Sequence, residues 1–361
     1  MNRIIFGGAF DPVHNGHINM AEKAVKELAG EVIFVPARIS VWKDVSAPVE
    51  DKIAMLKLAI KGKKNLSIDE YEINSGKDVN YSIDTVRYFK DKYPDDKLFF
   101  LIGIDQVNEF QRWKDAEELA KLAQIMFFTR PGYEVKDENV NRFHMIEIKG
   151  SGIDASSIDI RELKSFKLPD EVLFYIVEHD LYGGMAELKK TLSPHRLAHS
   201  KSVAKLAYQI AVANKLEKPL DAFIAGLFHD LGKDIGLDEQ AKIVKMHFPE
   251  YTDMPKFAYH QFAGAYLAQA KFGVNDPEII KAIEYHATGN SGMGILAKIV
   301  YASDKIEPTR GFDSSDLISA MINDAEAGFK IVLQANKDFL LSKEKSIENP
   351  LTYNCFKEYL Q

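Results

Sequence analysis

The hydrophobic rhythm of this chain changes once, and that change divides it. Up to about residue 148, apolar runs of strand length alternate with stretches of helical spacing. The runs are RIIFG (3–7), EVIFVPA (31–37), LFFLIG (98–103), QIMFFTR (124–130) and a weaker HMIEI (144–148). In 17–29, Ile18, Ala21, Val25 and Leu28 share one face and Gly30 offers a C-terminal stop. Residues 51–59 and 82–91 read the same way. Such alternation predicts an α/β fold with a parallel sheet covered on both faces. Ligands of such sheets bind at the carboxyl ends of the strands, where strand order reverses. From about residue 169 the alternation stops. Pro169–Tyr182 reads as a closing helix and Gly183-Gly184 as a hinge. Helical periods then follow at 194–214, 219–232, 237–247, 260–272, 276–288, 293–307 and 314–341, with no continuous strand candidate. The expected second domain is an all-α bundle, and the expected boundaries are 1–184 and 188–361.

Composition narrows the partners. The 361 residues are 46% hydrophobic, enough for two cores, and carry a net charge of −7. That balance argues against a general binder of nucleic acid or of anionic membranes, while a local phosphate site stays open. Cys355 is the single cysteine, so neither an internal disulfide nor a cysteine zinc site can form. No signal peptide and no apolar stretch of about 20 residues is evident, so the expected location is cytoplasmic, with no membrane partner. The sequence does not decide between a monomer and a homo-oligomer.

The stretch GGAFDPVHNGH (7–17) joins the first strand to the first long helix. Strand, glycine turn and helix start form a recurring phosphate cradle. Glycine lets backbone approach the ligand, and the helix start adds N–H groups and a positive dipole end. His14 and His17, three residues apart, share a face and can stabilise charge on a transferring phosphoryl group.

This string resembles the signature of the nucleotidylyltransferase superfamily, which has a Rossmann-like fold. YSIDTVRYF (81–89), LIGIDQVNEFQRW (101–113), TRPGY (129–133) and ASSIDIRELK (155–164) are similar to motifs of bacterial nicotinate mononucleotide adenylyltransferases. The resemblance covers about residues 1–184. It implies attack of the mononucleotide phosphate on the α-phosphorus of ATP, with Mg²⁺ bridging phosphate oxygens. It implies that Gly7, Gly8 and Phe10 form the nucleotide cradle, and that His14, His17 and Lys43 hold the triphosphate. Ser156, Ser157 and Arg161 would bind phosphates and ATP near a later helix start. Gly103 and Asp105 would border the adenosine ribose, and Thr85 and Trp113 the nicotinate half. Two departures stand out: Val41-Trp42-Lys43 replaces a usual Pro-His-Lys, and Ile158 replaces a usual Thr. Another phosphate acceptor, such as phosphopantetheine, is the competing reading.

The helical half holds a second constellation in RLAHS (196–200), AGLFHDLGK (225–233), YHQFAGA (259–265), EYHAT (284–288) and ASDKIEPTR (302–310). His199, His229, Asp230, His260, His286 and Asp304 combine imidazole with carboxylate, a donor set for Fe, Mn, Co or Zn. A helical bundle can project such ligands into one pocket. HDLGK and its companions resemble the HD phosphohydrolase superfamily over about 188–345. The resemblance implies a bundle with two divalent transition-metal ions bridged by Asp230, Fe first among them. It also implies symmetrical cleavage of diadenosine tetraphosphate into two ADP. Lys233 and Arg310 would neutralise substrate phosphates, and Glu307 would pair with one of them. A broader nucleotidase or phosphodiesterase, and a nucleotide sensor without turnover, are the competing readings. His144, His179, His195 and His247 fit neither constellation and read as structural or surface residues.

Overall fold

Six strands build one parallel sheet: β1 (Asn2–Gly8), β2 (Glu31–Pro36), β3 (Leu66–Ile68), β4 (Lys97–Gly103), β5 (Gln124–Phe128) and β6 (Ile146–Ile148). Their order is β3-β2-β1-β4-β5-β6. The computed structural model describes residues 1–38, 47–77, 79–129, 135, 137–149, 153–344, 347 and 349–361. It resolves into two compact units, Met1–Tyr182 and Gly183–Gln361. Among the described residues, no helix is long and apolar enough to cross a membrane.

The central strands are apolar on both faces because both faces are covered. Ile4, Ile5, Val32, Phe34 and Val35 are all fully buried. The register runs Ile5↔Ile33 on one side of β1 and Ile5↔Phe100 on the other. Strand order therefore reverses between β1 and β4, and Gly7-Gly8 and Gly103 end these two strands at that switch point. β3 was absent from the sequence expectation. It spans three half-buried residues at the sheet edge, too short to show a period.

The helix Asn15–Leu28 buries Ile18, Met20, Ala21 and Ala24, while Val25 and Leu28 are only half-buried. Its apolar face is thus rotated from the expected one. The stop also differs: Ala29 takes the left-handed cap at φ 48°. Gly30 is required by packing instead, because a Cβ there would stand 2.7 Å from the Asn2 carbonyl oxygen.

Gly183 and Gly184 are not a hinge but part of the helix Tyr182–Thr191. The turn before it is made by Asp180 (φ 53°) and Tyr182 (φ 73°). Tyr182 accepts that strained backbone while its hydroxyl donates to Asp11 Oδ1 at 2.8 Å. The second unit continues as helices Pro194–Ala213, Pro219–Phe228, Leu237–His247, Tyr259–Phe272, Pro277–Tyr285 and Ile295–Ile306. The expected single helix 314–341 is two, Ser315–Asn323 and Ala325–Ser342. Asp324 breaks it: its backbone is extended and its carboxylate caps the amides of Glu326 and Ala327. The last helix is Pro350–Tyr359. There Asn349 caps the helix, Thr352 donates to the Thr288 carbonyl at 3.1 Å, and Cys355 is buried, its thiol pushed up to about 12 by that burial.

Candidate active sites

In the first unit, the path from β1 into its helix is organised by two histidines. His14 is the N-cap residue, with extended backbone, and His17 stands at the third helical position. The Nδ1 of each accepts the other's backbone N–H at 3.3 Å. This is a capping box made from imidazoles. It has a chemical consequence. A neutral ring whose Nδ1 accepts carries its proton on Nε2, so each ring presents Nε2–H as a donor. The rings stack with centroids 3.6 Å apart. Gly16 permits this arrangement, since a Cβ there would press on the His14 ring at 3.0 Å.

The remaining expected residues fall into distinct places. A Cβ at Gly7 would meet only ordinary contact, from Phe100 at 3.7 Å, so that surface of the cradle is open. A Cβ at Gly8 would strike the Phe10 ring at 2.9 Å. Phe10 itself is 2% exposed and packs edge-on to His17 at 5.1 Å, so it orients that ring from below. Arg161 is buried and donates to the Asp11 carbonyl at 2.6 Å, and Ser157 donates to the Pro12 carbonyl at 3.3 Å. Both brace the turn that carries His14. Ser156 caps the helix Ser157–Arg161, which is too short to build a strong dipole. Asp105 is exposed beyond the end of β4, with its Oδ2 accepting from Gln106 at 2.8 Å. Thr85 is fully buried and spends its hydroxyl on Glu72 Oε1 at 2.7 Å, which limits its direct reach to a ligand. Burial raises the Glu72 carboxyl above its ordinary value, against the Thr85 bond. Trp113 is half-buried against Phe110 and Phe100. Lys43 lies outside the described residues, with Val41 and Trp42.

The second unit gathers all six expected metal ligands. His199 comes from Pro194–Ala213, His260 from Tyr259–Phe272 and Asp304 from Ile295–Ile306. His229 and His286 cap the C-termini of Pro219–Phe228 and Pro277–Tyr285, so the expected helices 219–232 and 276–288 stop early. The negative ends of those two helices meet the cluster, which favours cations there. Close approach depends on Gly232: a Cβ would sit 2.3 Å from the His260 carbonyl oxygen.

Every imidazole is oriented from behind. The Nδ1 atoms of His229, His260 and His286 donate to the carbonyls of Gly226, Phe257 and Ile283 at 2.7, 2.6 and 2.7 Å. His199 Nδ1 donates to Glu307 Oε1 at 2.9 Å. A ring held this way, when neutral, turns its Nε2 lone pair inward, the arrangement that metal-binding histidines require. Two observations show that the cluster fits cations. His229 Nε2 is buried with no hydrogen-bond partner. His260 and His286 face each other Nε2 to Nε2 at 3.2 Å, a repulsive pairing that a cation between them would relieve. Asp230 stands between two halves. Its Oδ2 is 3.7 Å from His229 Nε2, and its Oδ1 is 3.7 and 3.5 Å from His260 and His286 Nε2. Asp304 Oδ1 is 3.0 Å from His199 Nε2 and 3.6 Å from His229 Nε2.

The electrostatics of the two carboxylates, His260 and His286 agree, and His229 differs. Burial pushes the Asp230 and Asp304 carboxyls up, but the surrounding imidazoles, and Lys305 beside Asp304, override it and hold both well below the usual range. Burial drives His260 and His286 down, toward the neutral form. Burial opposes protonation of His229 as well, but Asp230 and Asp304 outweigh it and raise that ring.

Sequence reasoning missed two participants and gave a third, Glu307, a different partner. Arg196 Nη1 donates to Asp230 Oδ2 at 2.8 Å, Lys305 Nζ to Asp304 Oδ2 at 2.7 Å, and Glu307 orients His199. Arg310 does pair with Asp304, and Lys233 Nζ lies 3.2 Å from His260 Nε2. Glu307 is a partner of His199 and Thr309 first, with Arg310 Nε only at 4.0 Å. His195, expected to be a structural or surface residue, is exposed and lines a cavity of about 880 Å³ together with the cluster. The signal for Arg196 was its position one turn before His199. Because Glu307 holds a candidate ligand from behind, Glu307→Gln is expected to weaken metal affinity about 10- to 100-fold, read by competition with a chelator.

Comparison with known proteins separates the two units in the same way. The Cytidylyltransferase-like family matches residues 5–163 and the HD domain family residues 196–309. A Mycoplasma genitalium protein named "Probable nicotinate-nucleotide adenylyltransferase/Ap4A hydrolase" is 36% identical, over 85% of this chain and 87% of its own. A Mycoplasma pneumoniae protein of the same name is 32% identical, over 92% and 98%. A Clostridium botulinum protein named "Probable nicotinate-nucleotide adenylyltransferase" is 34% identical, over 50% of this chain and 99% of its own.

Proposed function

The chain belongs to the nicotinate-nucleotide adenylyltransferase/Ap4A hydrolase family, and from that premise we propose that its two units carry two separate reactions. The first joins the adenylyl group of ATP to the phosphate of nicotinate mononucleotide. The second hydrolyses diadenosine tetraphosphate: one water oxygen bonds to a central phosphorus, the central P–O–P bridge breaks, and two ADP result.

In the first reaction an oxygen of the mononucleotide phosphate bonds to the α-phosphorus of ATP. The bond to the β-phosphate breaks, and pyrophosphate leaves with the electron pair. No protein nucleophile is needed, so the chain supplies position and charge. The mutual capping of His14 and His17 supports this reading, because it fixes both imidazoles at a helix start, each with its proton on Nε2 when neutral. Arg161 and Ser157 hold the turn that carries them. Lys43 adds a positive charge in this reading, Gly103 and Asp105 border the ribose, and Thr85 with Trp113 shapes the nicotinate side. Mg²⁺ bound to the substrate phosphates supplies further neutralisation.

In the second unit the buried His/Asp cluster carries the reading. His199, His229, Asp230 and Asp304 would hold one divalent ion, and Asp230, His260 and His286 a second, with Fe favoured over Mn, Co and Zn. Such a pair acidifies water and neutralises the oxygens of a phosphoryl displacement. Arg196, Lys233, Lys305 and Arg310 surround the carboxylates, and in this reading they turn to the substrate's phosphates.

The test uses the full chain. With Mg²⁺ and ATP, nicotinate mononucleotide should release pyrophosphate faster than nicotinamide mononucleotide or phosphopantetheine does. With Mn²⁺ or Fe²⁺, diadenosine tetraphosphate should yield ADP alone. Metal-loaded protein that forms no ADP would overturn the hydrolase reading, and preference for another acceptor would overturn the transferase reading.

A further inference from the structure

Two large aromatic side chains stand in the water-exposed wall of the cavity in the second unit. Phe257 is 57% exposed and Phe339 is 51% exposed. Both line the cavity of about 880 Å³ whose lining includes Asp230 and Asp304. Burying these rings in a core would be the ordinary outcome, so their shared placement in a polar cavity is informative.

Each ring is tied to a different half of the cluster. Phe257 belongs to the turn Lys256–Ala258, and its own carbonyl accepts from His260 Nδ1 at 2.6 Å. Its backbone is therefore fixed beside the His260 and His286 side. Phe339 lies on Ala325–Ser342, one turn beyond Asn336, whose Nδ2 donates to the Tyr301 hydroxyl at 2.8 Å. Tyr301 is one turn before Asp304 on Ile295–Ile306, so that bond ties the helix carrying Phe339 to the helix carrying Asp304.

We propose that Phe257 and Phe339 are the base-stacking surfaces of the second unit, one for each nucleoside of a dinucleoside polyphosphate. This deepens the hydrolase reading and rests on it. A substrate cut at its centre extends in both directions from the reacting phosphates. It therefore needs one platform on each side of the cluster, with cations such as Lys233 and Arg310 between them. Stacking is tolerant of base identity because every base presents a π-face. The site is thus expected to take guanine as well as adenine dinucleotides.

The experiment compares metal-loaded full-length protein with Phe257→Ala and Phe339→Ala. Each variant should raise KM for diadenosine tetraphosphate and the inhibition constant of ADP by about 5- to 150-fold. The inhibition constant of pyrophosphate, which has no base, should stay unchanged, and so should kcat. Phe257→Tyr and Phe339→Tyr should restore ADP inhibition. Unchanged ADP inhibition in both alanine variants would overturn the proposal, as would equal losses for ADP and pyrophosphate. If the wild-type protein hydrolysed no dinucleotide, the hydrolase reading would fail, and ADP binding measured by calorimetry would still decide the role of the two rings.

Discussion

His17→Ala is expected to lower adenylyl transfer by at least about 10²–10³-fold, the loss that follows removal of one preset donor to developing charge. Hydrolysis of diadenosine tetraphosphate by the same protein should be unchanged. The effect has two parts. The substitution deletes one Nε2–H donor and also the Nδ1 that accepts the His14 amide. His14 then loses its stacking partner, so the second donor is less well placed. His17→Gln separates the parts. Glutamine at the third helical position can accept from the N-cap amide, so thermal stability should return toward wild type, while the rate stays far below it. A rate restored together with stability would show that His17 serves only as a cap.

The reverse outcome is expected for Asp230→Asn. The amide keeps the carboxylate's shape but removes the charge shared by the two halves of the cluster. Hydrolysis should fall at least about a thousandfold, as expected from losing several kcal/mol of charge stabilisation. Metal content, read by elemental analysis of the purified protein, should fall with it. Adenylyl transfer should remain. Asp230 pairs with Arg196, and its oxygens lie within 3.7 Å of three imidazoles, so no neutral group can replace it without leaving those partners unbalanced. Loss of both activities in a folded protein, for either variant, would contradict two independent sites.

Much of this was legible in the chain. The parallel sheet could be read because strands buried on both faces must be apolar throughout, as at 32–36 and 98–102. The bundle could be read because nothing after residue 169 keeps a strand's length. The six candidate metal ligands were legible because HDLGK and its companion segments resemble the HD superfamily; as single histidines and aspartates they would have carried no such signal. Other features were not. β3 is three residues long, and a period needs more. Gly183-Gly184 resembled a hinge because glycine frees the backbone, yet the turn is made by Asp180 and Tyr182, held in part by a bond to distant Asp11.

Local chemistry therefore determined which elements form and which side chains could carry reactions. Periodicity, caps and donor types act within a few residues, and the sequence shows them directly. Tertiary structure alone decided how those side chains are used. Arg161 and Thr85 look like ligand contacts in their motifs, but the fold brings the Asp11 carbonyl and the Glu72 carboxylate to them. Glu307 becomes the support of His199 across 108 residues. Such partners meet only when the chain closes, because burial leaves no water to satisfy a polar group and a distant residue must do so instead.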